Sequence, residues 1–174
     1  MKRRLFLSVF LLVPAVMFAL NYGLFQQPIE RVLERDDRNR GMVVRAHWRW
    51  YFDPTVLVYD LQSASPDTTG VDLLRALMQF AYRQKDRHFE RVVLAWQGTP
   101  RFYLAGADFV DLGRRHPSVS PVDAMLVVPP MLLRPDGSRA FPEQGNPPWL
   151  QQHDQRLRAF NRFVNEWAGQ KNEE

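Results

Sequence analysis

At 174 residues the chain has room for one domain and an appendage rather than two full domains. Its 45% hydrophobic and 24% charged composition is that of a folded protein and excludes collagen-like and wholly disordered classes, while the lack of any cysteine removes disulfides, thiolate metal sites and a cysteine nucleophile. Of the net charge of +4, Lys2, Arg3 and Arg4 supply three, leaving 20 bases against 19 acids over residues 5–174. The body therefore lacks the cation excess that displaces counterions from phosphates, and no nucleic-acid partner is expected.

The uncharged run from Leu5 to Phe25 comes first. As a helix rising ~1.5 Å per residue it would extend roughly 32 Å, close to the ~30 Å hydrocarbon thickness of a bilayer. Pro14 is tolerable in such a helix, and Asn21 and Tyr22 suit an interface. The run reads as a transmembrane anchor over 5–25 that makes the membrane a partner, with 1–4 as a cytoplasmic tail. A cleaved secretory signal is the rival, weakened because Ala19 and Gly23 have Met17 and Asn21 two residues behind them. Either way the rest of the chain would be exported. The cations abutting the run place the N-terminus inside, giving a single-pass protein of the inner membrane with a periplasmic or extracellular C-terminal domain.

Residues 26–41 read as a helical connector, with a thin apolar edge (Ile29, Val32, Leu33) and Gly41 as its end. The domain then spans 42–169. Val44, Ala46, Trp48, Trp50 and Phe52 alternate with polar residues, the pattern of a strand with one buried face. Thr55–Leu61 is a continuous β-rich run, expected to be a central strand covered on both sides. Val71, Leu74, Leu77, Met78 and Ala81 give a helix ending near Lys85. Arg91–Trp96 is a strand, Gln97–Pro100 a turn, and Arg101–Ala105 its hairpin partner.

Ala107–Gly113 reads as a short helix, and Ser120 as the cap of another beginning at Pro121. Eight of the 13 prolines lie from Pro117 to Pro148, an irregular stretch that would serve either as packing over the sheet or as a restrained recognition surface. A last helix opens at Pro147, with Leu150, Leu157, Phe160, Val164 and Trp167 as its stripe, before a frayed tail at 170–174. This order predicts an α+β fold: an N-terminal transmembrane helix, then a small mixed sheet of about four strands packed with one long central helix and a C-terminal helix.

The segments Arg91–Gly98 and Phe102–Phe109, closed by Leu112-Gly113, carry a resemblance. In them the chain is similar to uncharacterised bacterial proteins with an N-terminal hydrophobic segment and a small α+β domain, over roughly residues 55–145. The resemblance implies that fold and placement and brings no activity and no catalytic residue with it.

The most site-like place is the strand-to-helix loop after Leu61. Asp60, Ser63, Ser65, Asp67, Thr68 and Thr69 gather there ahead of Gly70, where strand ends and a helix N-terminus offer donors to a ligand. The plain alternative is that Asp67, Thr68 or Thr69 caps the helix. Asp60-Leu61-Gln62 lacks the second carboxylate of an aspartyl phosphatase. His47, His88, His116 and His153 lie in different elements, which gives no metal site, and nucleophile elbow, P-loop and dinucleotide fingerprint are all missing. No catalytic residue and no cofactor are assigned. Arg49 and Tyr51, opposite the tryptophans, are the better surface residues. The sequence favours a membrane-tethered, non-enzymatic module contacting a protein of the cell envelope. The alternative is a ligand-binding domain or hydrolase using the Asp60–Gly70 loop.

Overall fold

The computed structural model describes residues 2–142, 145 and 148–169, with side chains from residue 12 onward. The expected helix start at Pro147 and the tail at 170–174 lie outside the described residues.

The fold is α+β, built on a four-stranded mixed sheet. Helix α1 (Lys2–Asn21) runs through one π-helical turn, Tyr22–Gln26, into α2 (Gln27–Arg35). Strands β1 (Val43–Arg49) and β2 (Asp53–Ser63) form an antiparallel hairpin. Helix α3 (Gly70–Arg83) crosses to β3 (Arg91–Trp96), which lies parallel to β2. A two-residue turn, Gln97-Gly98, leads to the antiparallel β4 (Thr99–Ala105). Helices α4 (Gly106–Arg115), α5 (Pro121–Val127) and α6 (Trp149–Trp167) follow. Strand order is β1-β2-β3-β4.

Strand alternation divides the sheet's two faces. Val44, Ala46, Leu57, Tyr59, Leu61, Val92, Leu94, Phe102 and Leu104 join the buried helical residues in the main core. Helix α6 ties itself to the sheet through Trp167, whose indole N–H donates to the Ala95 carbonyl at 3.1 Å. Helix α4 approaches so closely that a Cβ on Gly106 would lie 1.8 Å from the Phe89 carbonyl oxygen, and one on Gly113 2.4 Å from the Ala81 backbone. Both glycines belong to the segments that carry the bacterial resemblance, and close backbone approach explains each of them.

The N-terminus corrects the sequence reading. Among the described residues no helix is long and apolar enough to cross a membrane. The expected transmembrane anchor over 5–25 is therefore not supported, nor is the single-pass, inner-membrane, periplasmic placement derived from it. The reason is visible at the end of the apolar run. Asn21 is buried against the β1–β2 hairpin and Phe25 is fully buried in the core, packing edge-on against Trp48 with ring centroids 5.5 Å apart. Part of the run's hydrophobicity is thus spent inside the domain. The segment read as a connector packs there too, since Ile29 and Val32 of α2 are core residues.

Two strand expectations also change. β1 ends at Arg49, so Trp50 and Phe52 leave the buried face and are 65% and 62% exposed. β2 is covered by the main core on one side only; Val56 belongs to a small separate cluster on the other. In α6, Leu150 is exposed and the buried stripe begins at Ala159.

Candidate functional site

The loop residues singled out in the sequence do not converge. Asp60 shares the parity of Val56 and Val58 and lies on the sheet face away from the main core, 6% exposed. Both its carboxylate oxygens accept the Gly98 N–H at 3.0 Å, and Oδ2 also accepts the Gln62 amide at 2.6 Å. Ser63 is exposed at the end of β2, paired in register with Val43. The Ser65 hydroxyl accepts the Asp67 N–H at 3.4 Å and its carbonyl the Thr68 N–H at 2.9 Å, which describes a local turn. Thr69 caps α3: its hydroxyl accepts the Asp72 N–H at 3.2 Å, while the Asp72 carboxylate accepts the Thr69 N–H at 3.0 Å. This reciprocal box satisfies two otherwise orphaned donors. No grouping of His, Asp or Glu suited to a metal occurs among the described residues.

A different place is built more elaborately, at the junction of α1 with the β1–β2 hairpin. In the π-helical turn the Gln27 N–H reaches the Tyr22 carbonyl five residues back. This widened turn sets Asn21 and Gln26 along one side of the helix. The Gln26 side chain accepts the Ala46 N–H at 3.0 Å and donates to the Val44 carbonyl at 3.2 Å. Asn21 accepts the Trp48 N–H at 2.7 Å and donates to the Tyr51 carbonyl at 2.8 Å. Two amides thereby stand in for a neighbouring strand on the outer edge of β1, a position that otherwise invites pairing with another chain.

Asn21 also fixes the turn. The Phe52 N–H donates to the Arg49 carbonyl across Trp50 and Tyr51, which have φ of 53° and 68°. Positive φ at both central residues defines the hairpin turn that prefers Asn-Gly, and here two bulky aromatic residues occupy it. Tyr51 is compensated by stacking on His47, with centroids 4.4 Å apart and planes 7° from parallel, and on Phe18 at 6.1 Å. Trp50 gains only the Arg49 guanidinium, 4.4 Å from its ring centroid, and a tilted contact with Phe52. Facing this turn, Val13, Met17 and Phe18 of α1 form the second wall of a groove of about 550 Å³. Phe18 is 62% exposed, and Leu12, Val13, Val16 and Leu20 extend the apolar surface along the helix.

Comparison with protein-family models, with curated proteins and with solved structures gave no match. The groove was not legible in the sequence, because alternation assigned Trp50 and Phe52 to the core and the apolar length of α1 pointed to lipid. Two aromatic residues followed by a third just before Asp53-Pro54 were the available signal of a turn displaying rings.

Proposed function

We propose that this protein is a non-enzymatic protein-interaction module whose docking surface is the groove between α1 and the Trp50–Phe52 turn, and that the occupant is an amphipathic helix of a partner protein. The observation that carries the reading is the pair Trp50-Tyr51 in left-handed backbone. A bulky residue there costs about 1–2 kcal/mol, strain of the kind that gathers at functional sites. The conformation puts the Trp50 and Phe52 rings in solvent rather than in the core. Exposed aromatic anchors beside a recess are what a hot spot needs. A recess walled by Val13 and Met17, one helical turn apart, accepts the ridge of a helix, and Met17 adapts to its shape. Charge argues for the same occupant, since the groove's lining residues are all uncharged.

A photocrosslinking amino acid placed at Phe18 or at Phe52 of the full chain tests the proposal. The expected result is one shared protein adduct, with the crosslinked peptide mapping to an amphipathic helix of that partner. Substitution at the exposed Val122 should give none, and Trp50→Ser should abolish the adduct. Lipid adducts, self-adducts, or crosslinking at Val122 equal to that at Phe18 would each overturn it.

A further inference from the structure

The sheet face turned away from the main core carries its own recess. Val56, Val93 and Ala95 are each at most 5% exposed there, packed against Val58 and Tyr103. Two arginines line the recess with them. The Arg91 guanidinium lies 4.8 Å from the Tyr103 ring centroid, and Arg49 is held by Asp53 at 2.6 Å. Arginine stems laid over apolar strands shield them in many surfaces. Here, with those side chains in place, a trough of about 380 Å³ remains, within the size range of small-molecule sites.

The trough has polarity. Arg91 stands at one end and forms no ion pair among the described residues, whereas Arg49 is neutralised by Asp53. At the other end lies Asp60, cross-strand from Ala95. Arg91 and Ala95 are four residues apart on β3, about 13 Å at ~3.3 Å per residue. Between them the floor is Val58 and Val93, which sit side by side in register. An open guanidinium, an apolar floor and a distant carboxylate together define a ligand: one anionic group, an extended apolar body, and no second negative charge.

We propose that this trough binds an amphipathic monocarboxylate of medium chain length, its carboxylate on Arg91 and its chain lying along Val58 and Val93 towards Ala95. The Arg91 fork pairs with the carboxylate in a charge-assisted contact. The chain replaces water over the valine floor. Asp60, whose oxygens are already engaged by Gly98 and Gln62, repels a second acid at the chain's far end.

The test titrates the full-length protein with decanoate, decanol and sebacate, reading heat and the methyl resonances of Val56, Val58 and Val93. Decanoate is expected to saturate one site and shift those methyls. Decanol and sebacate should bind at least about tenfold more weakly, the scale of one charge-assisted contact or one close like-charge repulsion. Arg91→Gln should weaken decanoate by about tenfold, and Arg91→Lys, which keeps the charge but loses the fork, should recover only part of that loss. Asp60→Asn should narrow the gap between sebacate and decanoate. Equal binding of decanol and decanoate would overturn the proposal, as would methyl shifts confined to Val13 and Val16, or the absence of saturable binding. The ligand panel on the unaltered protein decides the matter even where a variant is poorly folded.

Discussion

Asn21 and Gln26 sit five residues apart on a continuous helix, yet their amides meet Trp48 and Ala46, two residues apart on the edge of β1. A regular α-helix turns ~100° per residue, so positions five apart point in different directions; the π-helical turn at Tyr22–Gln26 removes that offset. Asn21→Leu should leave the part-buried Trp48 N–H without its side-chain acceptor and cost about 1 kcal/mol. Hydrogen exchange at Trp48 should accelerate more than at Leu94 in the central strand, and Gln26→Leu should do the same at Ala46. Unchanged exchange at both amides would refute the edge-guarding role.

Trp50→Gly should leave stability unchanged or raise it while removing docking. Glycine occupies positive φ without steric cost, so relief of about 1 kcal/mol offsets the greater freedom of the unfolded chain and the lost Arg49 contact. Thermal melts should show an unchanged or higher midpoint, and the crosslink at Phe18 should vanish. A clear loss of stability would mean that the turn is not strained.

Gly106→Ala places a methyl 1.8 Å from the Phe89 carbonyl oxygen, a contact that only backbone movement relieves. The variant should lose about 3 kcal/mol or more, at or beyond the upper end of overpacking costs. Denaturant unfolding would measure it, and Gly98→Ala provides a control of a different kind: no atom lies within 4 Å, but φ is +80°. Its loss should be about 1 kcal/mol, from backbone conformation alone.

Thr69→Ala should cost about 1 kcal/mol by opening the capping box with Asp72, and Thr69→Ser should restore most of it. Neither should alter crosslinking at Phe18 or decanoate affinity. A changed affinity with stability intact would return the Asp60–Gly70 loop to consideration as a ligand site.

Acid should destabilise the fold in two stages. Burial holds the His116 imidazole below its ordinary value near 6.5, and its Nδ1 has no hydrogen-bond partner among the described residues. Protons therefore favour the unfolded chain as pH falls below about 6.5, and His116→Phe should flatten that limb. Hydrogen bonding from Arg38, chiefly, holds Asp36 down to about 2, with Gln79 contributing. Stability from Asp36 is full above the unfolded value of about 4 and disappears as pH falls towards 2. Asp36→Asn should shrink this second stage in pH-dependent unfolding measurements without abolishing it, because hydrogen bonds also hold the Asp53, Asp72 and Asp136 carboxyls below their ordinary value.

The strands and the capped helices were legible because their signals are local: alternation in β1, the β-rich run through Leu57, Tyr59 and Leu61 in β2, and Ser120 or Thr69 before a helical stripe. What failed depended on partners distant in the chain. An uncharged run does not reveal that Phe25 faces Trp48 instead of lipid. Nor does alternation reveal a turn, since Trp50-Tyr51 lacks the Asn-Gly chemistry that normally announces one. Thr55–Leu61 looked buried on both sides because its run is continuously β-rich, and in the structure Val56 packs with Val93 and Ala95 on the face away from the main core. For Asp60 the parity with Val56 and Val58 was present in the sequence. It placed the carboxylate across the sheet from the main core, away from the loop with which proximity in sequence had grouped it.

The π-helical turn has a consequence for anyone trimming this protein. The composition invites a cut near residue 42, just ahead of the first strand. Such a fragment would lose the Phe25 ring from its socket and both guarding amides, baring a hydrogen-bonding rim along β1. Two copies laid side by side would satisfy one another there, so the shortened protein should be the adhesive one and the full chain the better behaved.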